Sequence, residues 1–202
     1  MSIFAADSKL TIVLNTIGNL MVLNILALIC MLPVVTAGAS LTALSTMTMR
    51  IVRKEEGSII CGFLGAFKDN LKKSTIIWLM GGGLLVFMAF DIWLLRSVTG
   101  NFGLVYRVLL FVLMLFVGMV LMNALALTAR FENTVKNTLK NALVIVASHL
   151  PQSALMLLIF LLPVLLLFVS MRFVSVDILI GLSGPAWLAS VYFCPLFHSF
   201  EK

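Results

Sequence analysis

Charged residues are scarce in this sequence. Asp, Glu, Lys and Arg make up 11% of its 202 residues, whereas 62% are hydrophobic and the mean hydropathy is +1.17. A soluble domain carries about 25% charged residues, which it needs to cover its surface. The scarcity of charge therefore excludes an ordinary soluble fold and indicates a chain that is solvated largely by lipid.

Histidine, acidic residues and cysteine are scarce as well. Two histidines and eight Asp and Glu residues leave few groups for general acid–base catalysis. The sequence contains no glycine-rich phosphate loop, no catalytic carboxylate pair and no His-Glu-x-x-His zinc motif. Cys30, Cys61 and Cys194 lack the close spacing of a metal knuckle, and we expect buried, inert thiols. We therefore predict a protein that is not an enzyme and has no cofactor or metal.

Long uncharged apolar runs are abundant instead. A helix rises about 1.5 Å per residue and the hydrocarbon core is about 30 Å thick, so about 20 apolar residues cross it. The pattern predicts an all-α, polytopic membrane helix bundle that forms one membrane domain over residues 1–202. Five transmembrane helices are predicted, at about 11–35, 75–95, 104–129, 152–171 and 176–196.

The end of the first apolar run resembles a signal-peptide cleavage site at Ala37–Ala39. The run is much longer than the apolar core of a signal peptide, which has about 7–15 residues, and it contains three asparagines. We interpret it as a retained span. The chain then turns on the cytoplasmic side, where Ser40 is a good N-cap for the next helix.

Two segments, 40–73 and 131–150, are predicted to form a cytoplasmic or interfacial layer. The uncharged stretch Leu41–Met49 is too short to cross a bilayer. Five apolar residues from Ile60 to Leu71 share one helical face, which is typical of an amphipathic helix at the interface. Residues 142–171 are too long for one upright span, so we expect a break near His149–Pro151.

Most lysines and arginines fall on one side of the predicted spans. Because cytoplasmic loops are enriched in Lys and Arg, the sequence predicts an N-terminus outside and a C-terminus inside. This orientation explains the net charge of +6, and no nucleic-acid partner is expected. We expect the Lys68–Lys73 run and the Arg130–Asn133 junction to meet beneath the bundle. The candidates for contact with anionic lipid or with a cytoplasmic partner are Arg50, Arg53, Lys54, Lys68, Lys72, Lys73, Arg130, Lys136 and Lys140.

Asp91 lies in the second predicted span, close to its outer end. A carboxylate inside a membrane is costly and often functional. One interpretation is an interfacial ion pair with Arg96 or Arg107. The other is a proton-binding or ligand-binding site.

Polar residues within the other spans are the remaining candidates. Asn15 and Asn19 share a helical face, Asn24 points to the opposite side, and Asn123 lies in the third span. They could form interhelical hydrogen bonds or line a polar cavity for a neutral solute such as a sugar. His149 is interpreted as part of a helix start at headgroup level, because a lone histidine is a poor metal site.

Four segments resemble the YesL-like family of small bacterial integral membrane proteins of uncharacterised activity. They are Leu32–Ser40, Arg50–Gly57, Ala66–Lys72 and Ala129–Leu143. The resemblance covers nearly the whole chain and implies a location in the bacterial cytoplasmic membrane. It also implies an association with carbohydrate ABC transporters, sugar-responsive sensors and polysaccharide-degrading enzymes. It supplies no catalytic or ligand-binding residues.

Two hypotheses for function follow. The first is a non-enzymatic accessory or regulatory protein of carbohydrate uptake or sensing, whose partners are the bilayer and a sugar ABC transporter or sensor protein. The second is a small solute transporter or channel, acting as a monomer or as a homo-oligomer. The amphipathic basic segments favour the first, and Asp91 with the intramembrane asparagines favours the second.

Overall fold

A computed structural model describes residues 9–55, 57–97, 101–169 and 174–199, and all regular elements in these ranges are helical. The prediction of an all-α fold is therefore confirmed. Short 3-10 turns follow the first and third helices. The α-helices are α1 (Lys9–Met31), α2 (Ala37–Val52), α3 (Ile59–Leu94), α4 (Asn101–Arg130), α5 (Val135–Ser148), α6 (Leu150–Val169), α7 (Val174–Ile180) and α8 (Ser183–Ser199).

Three of these helices, α1, α3 and α4, are long and apolar enough to cross a membrane. The pair α5 and α6 forms a fourth candidate, bent by 108° where the sequence predicts a break. The described residues thus contain three or four candidate spans by length and composition, and the predicted count of five is not confirmed. In the last part of the chain, a turn at Gly181 and Leu182 divides the apolar segment into α7 and α8.

The third helix is longer than the sequence predicts. An interfacial helix over residues 60–71 and a span over residues 75–95 were expected as separate elements, whereas α3 is one helix of 36 residues. No glycine or proline interrupts the chain between them. The Ser74 hydroxyl donates to Thr42 Oγ1 at 2.8 Å and does not cap a new helix.

The second helix lies in the centre of the bundle. Twelve of its 16 residues are buried, and it packs against α1, α3, α4 and α8. The sequence predicts a place at the membrane interface for this segment because it is too short to cross. Its many Ala, Gly, Ser and Thr residues instead allow the longer helices to approach closely and enclose it.

Close contacts show that α3 runs antiparallel to both α2 and α4. A Cβ atom at Gly38 in α2 would clash with Trp78 Cβ in α3, so this crossing requires glycine. Farther along the pair, Thr42 meets Ser74. Gly81 packs against Leu121 of α4. The end of α2, the first half of α3 and the end of α4 therefore lie at the same end of the bundle.

The spacing of charges on α3 matches the thickness of a bilayer. The uncharged stretch from Ser74 to Phe90 extends about 26 Å, against about 30 Å for the hydrocarbon core. Lys73 and Asp91 stand at its two ends. The two charged ends of the bundle are thus separated by about one membrane thickness.

Candidate functional site

A cavity of about 440 Å³ lies at the end of the bundle where α2 and α4 end. Its volume is in the range of small-molecule sites, about 300–1,000 Å³. The walls come from three helices that the antiparallel packing brings together. The polar lining residues are Thr46, Arg50, Asp69, Asn70, Lys73, Thr128, Arg130 and Glu132.

The structure brings together two segments that the sequence predicts to meet. Asp69 and Lys73, from the basic run on α3, face the same cavity as Arg130 and Glu132 at the end of α4. Lys68 and Lys72 of the same run are exposed, and the cavity is lined without them. The run therefore has one side that faces the cavity and another that faces outward.

The cavity carries charges of both signs. Arg50, Lys73 and Arg130 come from three different helices, and Asp69 and Glu132 supply two carboxylates. The Arg130 guanidinium carbon lies 5.7 Å from the centre of the Phe131 ring, within the range of a cation–π contact. Among the described residues, Lys73 and the two carboxylates form no ion pair within 4.0 Å.

A second cavity, of about 320 Å³, lies beside the first. Both are lined by Arg50, Cys61 and Gly62. Arg50 Nε lies 3.8 Å from Glu55 Oε2, and Arg53 Nη1 lies 3.4 Å from Glu55 Oε1. These are exposed ion pairs, which contribute little to stability.

The way α2 ends places Glu55 beside Arg50. Lys54 adopts a left-handed conformation with φ of 56°. The Lys54 N–H donates to Ile51 O at 3.1 Å, and the Glu55 N–H donates to Arg50 O at 3.0 Å. This pair of bonds is the Schellman motif, which stops the helix and reverses the chain.

The Asn24 side chain holds the α7–α8 turn and does not line a ligand site. Its side chain is fully buried and makes four hydrogen bonds to the backbone around the α7–α8 turn. Nδ2 donates to the carbonyl oxygens of Asp177 (3.0 Å) and Ile178 (2.7 Å). Oδ1 accepts from the N–H groups of Leu182 (2.8 Å) and Ser183 (2.9 Å). One side chain therefore satisfies the ends of both helices.

The other asparagines do not join Asn24. Asn15 is exposed and Asn19 is partly exposed on α1. Asn123 is buried in α4, where its Nδ2 donates to Met119 O at 2.9 Å in the same helix. Its Oδ1 has no hydrogen-bond partner among the described residues. The four asparagines therefore do not line a common cavity.

Asp91 contacts a tyrosine at the opposite end of the bundle. Tyr106 Oη donates to Asp91 Oδ2 at 3.2 Å, which joins α3 to α4. No ion pair forms between Asp91 and Arg96 or Arg107 in the described parts of the chain. Arg107 Nε instead donates to Gly103 O within its own helix. Sequence reasoning missed Tyr106 because it considered only charged partners.

His149 marks the predicted break between α5 and α6. Its N–H donates to Ile145 O at 2.8 Å, and its carbonyl accepts from the Ser153 N–H at 3.0 Å.

Before the break, α5 is amphipathic, with Lys136 and Lys140 on its exposed side. In the described ranges, no group of three His, Cys, Asp or Glu side chains is arranged to hold a metal ion.

The cysteines differ from the prediction in part. Cys30 is partly buried, whereas Cys61 is exposed, so the prediction of a buried thiol is wrong for Cys61. Cys61 lies on the side of α3 that borders both charged cavities, where no helix covers it. The Cys194 side chain lies outside the described part of the structure.

Sequence reasoning did not predict the role of the hydroxyl groups of α2. Four of them bond to four different helices, so α2 is a hydrogen-bonded centre as well as a buried one. The bonds are Ser40 Oγ to Ala27 O (2.8 Å) in α1, Ser74 Oγ in α3 to Thr42 Oγ1 (2.8 Å), Thr46 Oγ1 to Ala129 O (3.3 Å) in α4, and Thr48 Oγ1 with Ser190 Oγ (2.8 Å) in α8.

Asp177 was also missed as a candidate, although it lies at the beginning of the fifth predicted span. In the structure it belongs to α7, and its Oδ2 atom is buried without a hydrogen-bond partner in the described residues. It borders a mostly apolar cavity of about 230 Å³ between α6 and the α7–α8 turn. The seven-residue helix that carries it gives too weak a periodic signal to be found from sequence.

Comparisons with known proteins give one finding. No curated protein and no solved structure matches the chain significantly. Residues 20–92 match a family described as a protein of unknown function, DUF624. The matched region includes α2 and most of α3, which form two of the three walls of the 440 Å³ cavity. Over these residues the chain is similar to an uncharacterised family. The apolar helices of the chain are compatible with a membrane protein.

Proposed function

We propose that the protein is a non-enzymatic accessory or regulatory component of a carbohydrate uptake or sensing system. In this proposal it lies in the bacterial cytoplasmic membrane with its N-terminus outside and its C-terminus inside. Five spans would comprise α1, α3, α4, α6 and the broken helix formed by α7 and α8. The 20 residues of α6 are about 30 Å long, which supports a separate fourth span.

One observation carries the docking role. Exposed basic side chains gather at the end of the bundle where α2 and α4 end, with Lys68 and Lys72 on α3 and Lys136 and Lys140 on α5. Because only four residues separate the end of α4 from the start of α5, both groups lie at this end. An exposed basic surface of this kind attracts acidic partners and anionic lipids.

The polar groups inside the bundle support a structural role for its interior. Asn24 forms its hydrogen bonds with the α7–α8 turn, and four α2 hydroxyls each bond to a neighbouring helix. A path for a polar solute would need such groups to be available to it. The carbohydrate association is supported by the YesL-like sequence resemblance, and the absence of enzymatic activity by the scarcity of acid–base residues.

The test is crosslinking of the tagged full-length protein in the membranes of its own bacterium, followed by quantitative mass spectrometry. We expect enrichment of a sugar ABC transporter subunit or a sensor protein. Reversal of the exposed charges by Lys68→Glu and Lys72→Glu should lower that enrichment about tenfold, whereas Arg96→Glu at the other end should not. Recovery of neither component, or equal loss with Arg96→Glu, would overturn the proposal.

The break between α7 and α8 favours a transporter or channel as the second candidate. Discontinuous helices at mid-membrane form the substrate sites of many transporters. The buried Oδ2 of Asp177 beside this break is the specific observation in its favour. Solute flux in proteoliposomes that is lost on Asp177→Asn or Asp91→Asn would support this candidate over the accessory role.

A further inference from the structure

We infer that the 440 Å³ cavity binds a phosphate ester whose alcohol part carries hydrogen-bond donors. This chemistry is shared by the headgroups of phosphatidylglycerol and phosphatidylethanolamine and by soluble polyol phosphates. The inference concerns the purified chain alone. It does not depend on the proposed docking of a protein partner.

Three cations line the cavity. Arg50, Lys73 and Arg130 belong to three separate helices. Their grouping therefore does not arise from the charged, solvent-exposed face of one amphipathic helix. Guanidinium groups bind phosphate oxygens through paired N–H donors, and a lysine ammonium adds a point charge. Together they provide the positive charge and the N–H donors that bind a phosphate.

The carboxylates define the other half of the ligand. The ionised carboxylates of Asp69 and Glu132 can accept hydrogen bonds but cannot donate them, and they repel a bare phosphate. A ligand that satisfies them must carry hydroxyl or ammonium donors next to its phosphate. Glycerol and ethanolamine headgroups do so, whereas choline carries no N–H or O–H group.

Asp69 and Lys73 do not form an ion pair with each other. Asp69 and Lys73 are four residues apart on α3, a spacing at which opposite charges often pair. Neither forms an ion pair or side-chain hydrogen bond with a described residue. Both groups border the cavity and keep their hydrogen-bonding capacity for a ligand.

The position of the cavity suits a headgroup. Lys73 closes the uncharged stretch of α3 that measures about 26 Å, so the cavity begins at the membrane boundary. Phosphate groups of lipids lie at this level. A soluble phosphate ester could reach the same groups from the aqueous side, and the experiment separates the two sources.

Gly65 offers a way to fill the cavity without disturbing the fold. It borders the cavity, and a Cβ atom there would meet no other atom within 4 Å. Gly65→Leu therefore places a side chain in or beside open space and improves helix propensity. This variant should remain folded and lose the ligand.

The test is native mass spectrometry of the purified protein with lipids of defined composition. Phosphatidylglycerol or phosphatidylethanolamine should bind about tenfold more tightly than phosphatidylcholine, which has the same phosphate but no donor. Lys73→Gln, which removes one of the phosphate-binding cations, should weaken the binding of all three lipids, and Gly65→Leu should abolish it, whereas Lys72→Gln, on the exposed side of the same helix, should leave both affinity and preference unchanged. Because the carboxylates supply the preference, Asp69→Ala with Glu132→Ala should make the affinities for the three lipids equal.

A second arm uses glycerol 3-phosphate as a soluble probe, measured by the thermal stability of the detergent-purified protein. If glycerol 3-phosphate stabilises the protein and this stabilisation is lost in Lys73→Gln, the site binds a soluble ester. If glycerol 3-phosphate does not stabilise the protein and the lipid preference is observed, the site binds a headgroup. Equal binding of all three lipids with no effect of glycerol 3-phosphate would overturn the inference. Equal behaviour of Lys73→Gln and Lys72→Gln would overturn it too.

Discussion

Asn24 accepts a hydrogen bond from the backbone N–H of Ser183 at 2.9 Å, although the two residues are 159 positions apart. The same side chain bonds to three further backbone groups of the α7–α8 turn. The turn sits against α1 because a single buried amide completes the hydrogen bonds of both helix ends. The first prediction tests this arrangement.

Asn24→Ala should destabilise the protein by at least about 2 kcal/mol, because it leaves buried backbone donors and acceptors without partners. Asn24→Asp should be comparably destabilising, since a carboxylate can accept the two N–H groups but faces two carbonyl oxygens. Thermal unfolding in detergent measures both changes. Asn15→Ala, an exposed position on the same helix, is the control and should have little effect. Similar unfolding temperatures for all three variants would contradict the assignment.

Gly38 and Gly83 should respond in opposite ways to alanine. A Cβ atom at Gly38 would clash with Trp78 Cβ and lie 2.7 Å from Ser74 O, so Gly38→Ala must separate α2 from α3. We expect a loss of about 1–3 kcal/mol. A Cβ atom at Gly83 meets nothing within 4 Å, and Gly83→Ala should stabilise the helix by about 0.5–1 kcal/mol. Denaturant titration compares the two, and a neutral Gly38→Ala would contradict the close packing.

Lys54 is a site where glycine should improve stability. Its φ of 56° is costly for a residue with a side chain, so Lys54→Gly should stabilise the end of α2 by about 1 kcal/mol. Arg53→Gly is the matched control, because it also removes one positive charge but lies at φ of −80°. That variant should be neutral or destabilising. If both glycines had the same effect on the unfolding temperature, the left-handed cap would not be the cause.

Cys61 reports on membrane orientation. In a variant that retains only this cysteine, a membrane-impermeant maleimide should label inside-out vesicles and spare intact cells, because the exposed thiol lies at the basic end of the bundle. Arg96→Cys in a cysteine-free background provides the opposite end and should show the reverse pattern. Labelling of Cys61 in intact cells would reverse the proposed topology.

The parts of the fold that depend on local pattern were predictable. Uncharged length and Pro151 indicated the break at His149, and the charges near Lys73 and Arg130 indicated a common surface. The partners of Asn24 and Thr48 were not predictable, since they lie more than a hundred residues away. The central place of α2 was missed for the same reason: its small polar residues read locally as interfacial, and only the neighbouring helices make them a core.

The bond between Thr48 and Ser190 has a consequence for the synthesis of the protein. It joins residues 142 positions apart, and α8 supplies one of the four neighbours that enclose α2. While the chain is still being made, α2 has its partners on α1, α3 and α4 before the one on α8 exists. The central helix therefore reaches its final enclosure only when α8 has left the ribosome, and a chain shortened before α8 would expose buried hydroxyl groups and small apolar residues to chaperones and proteases.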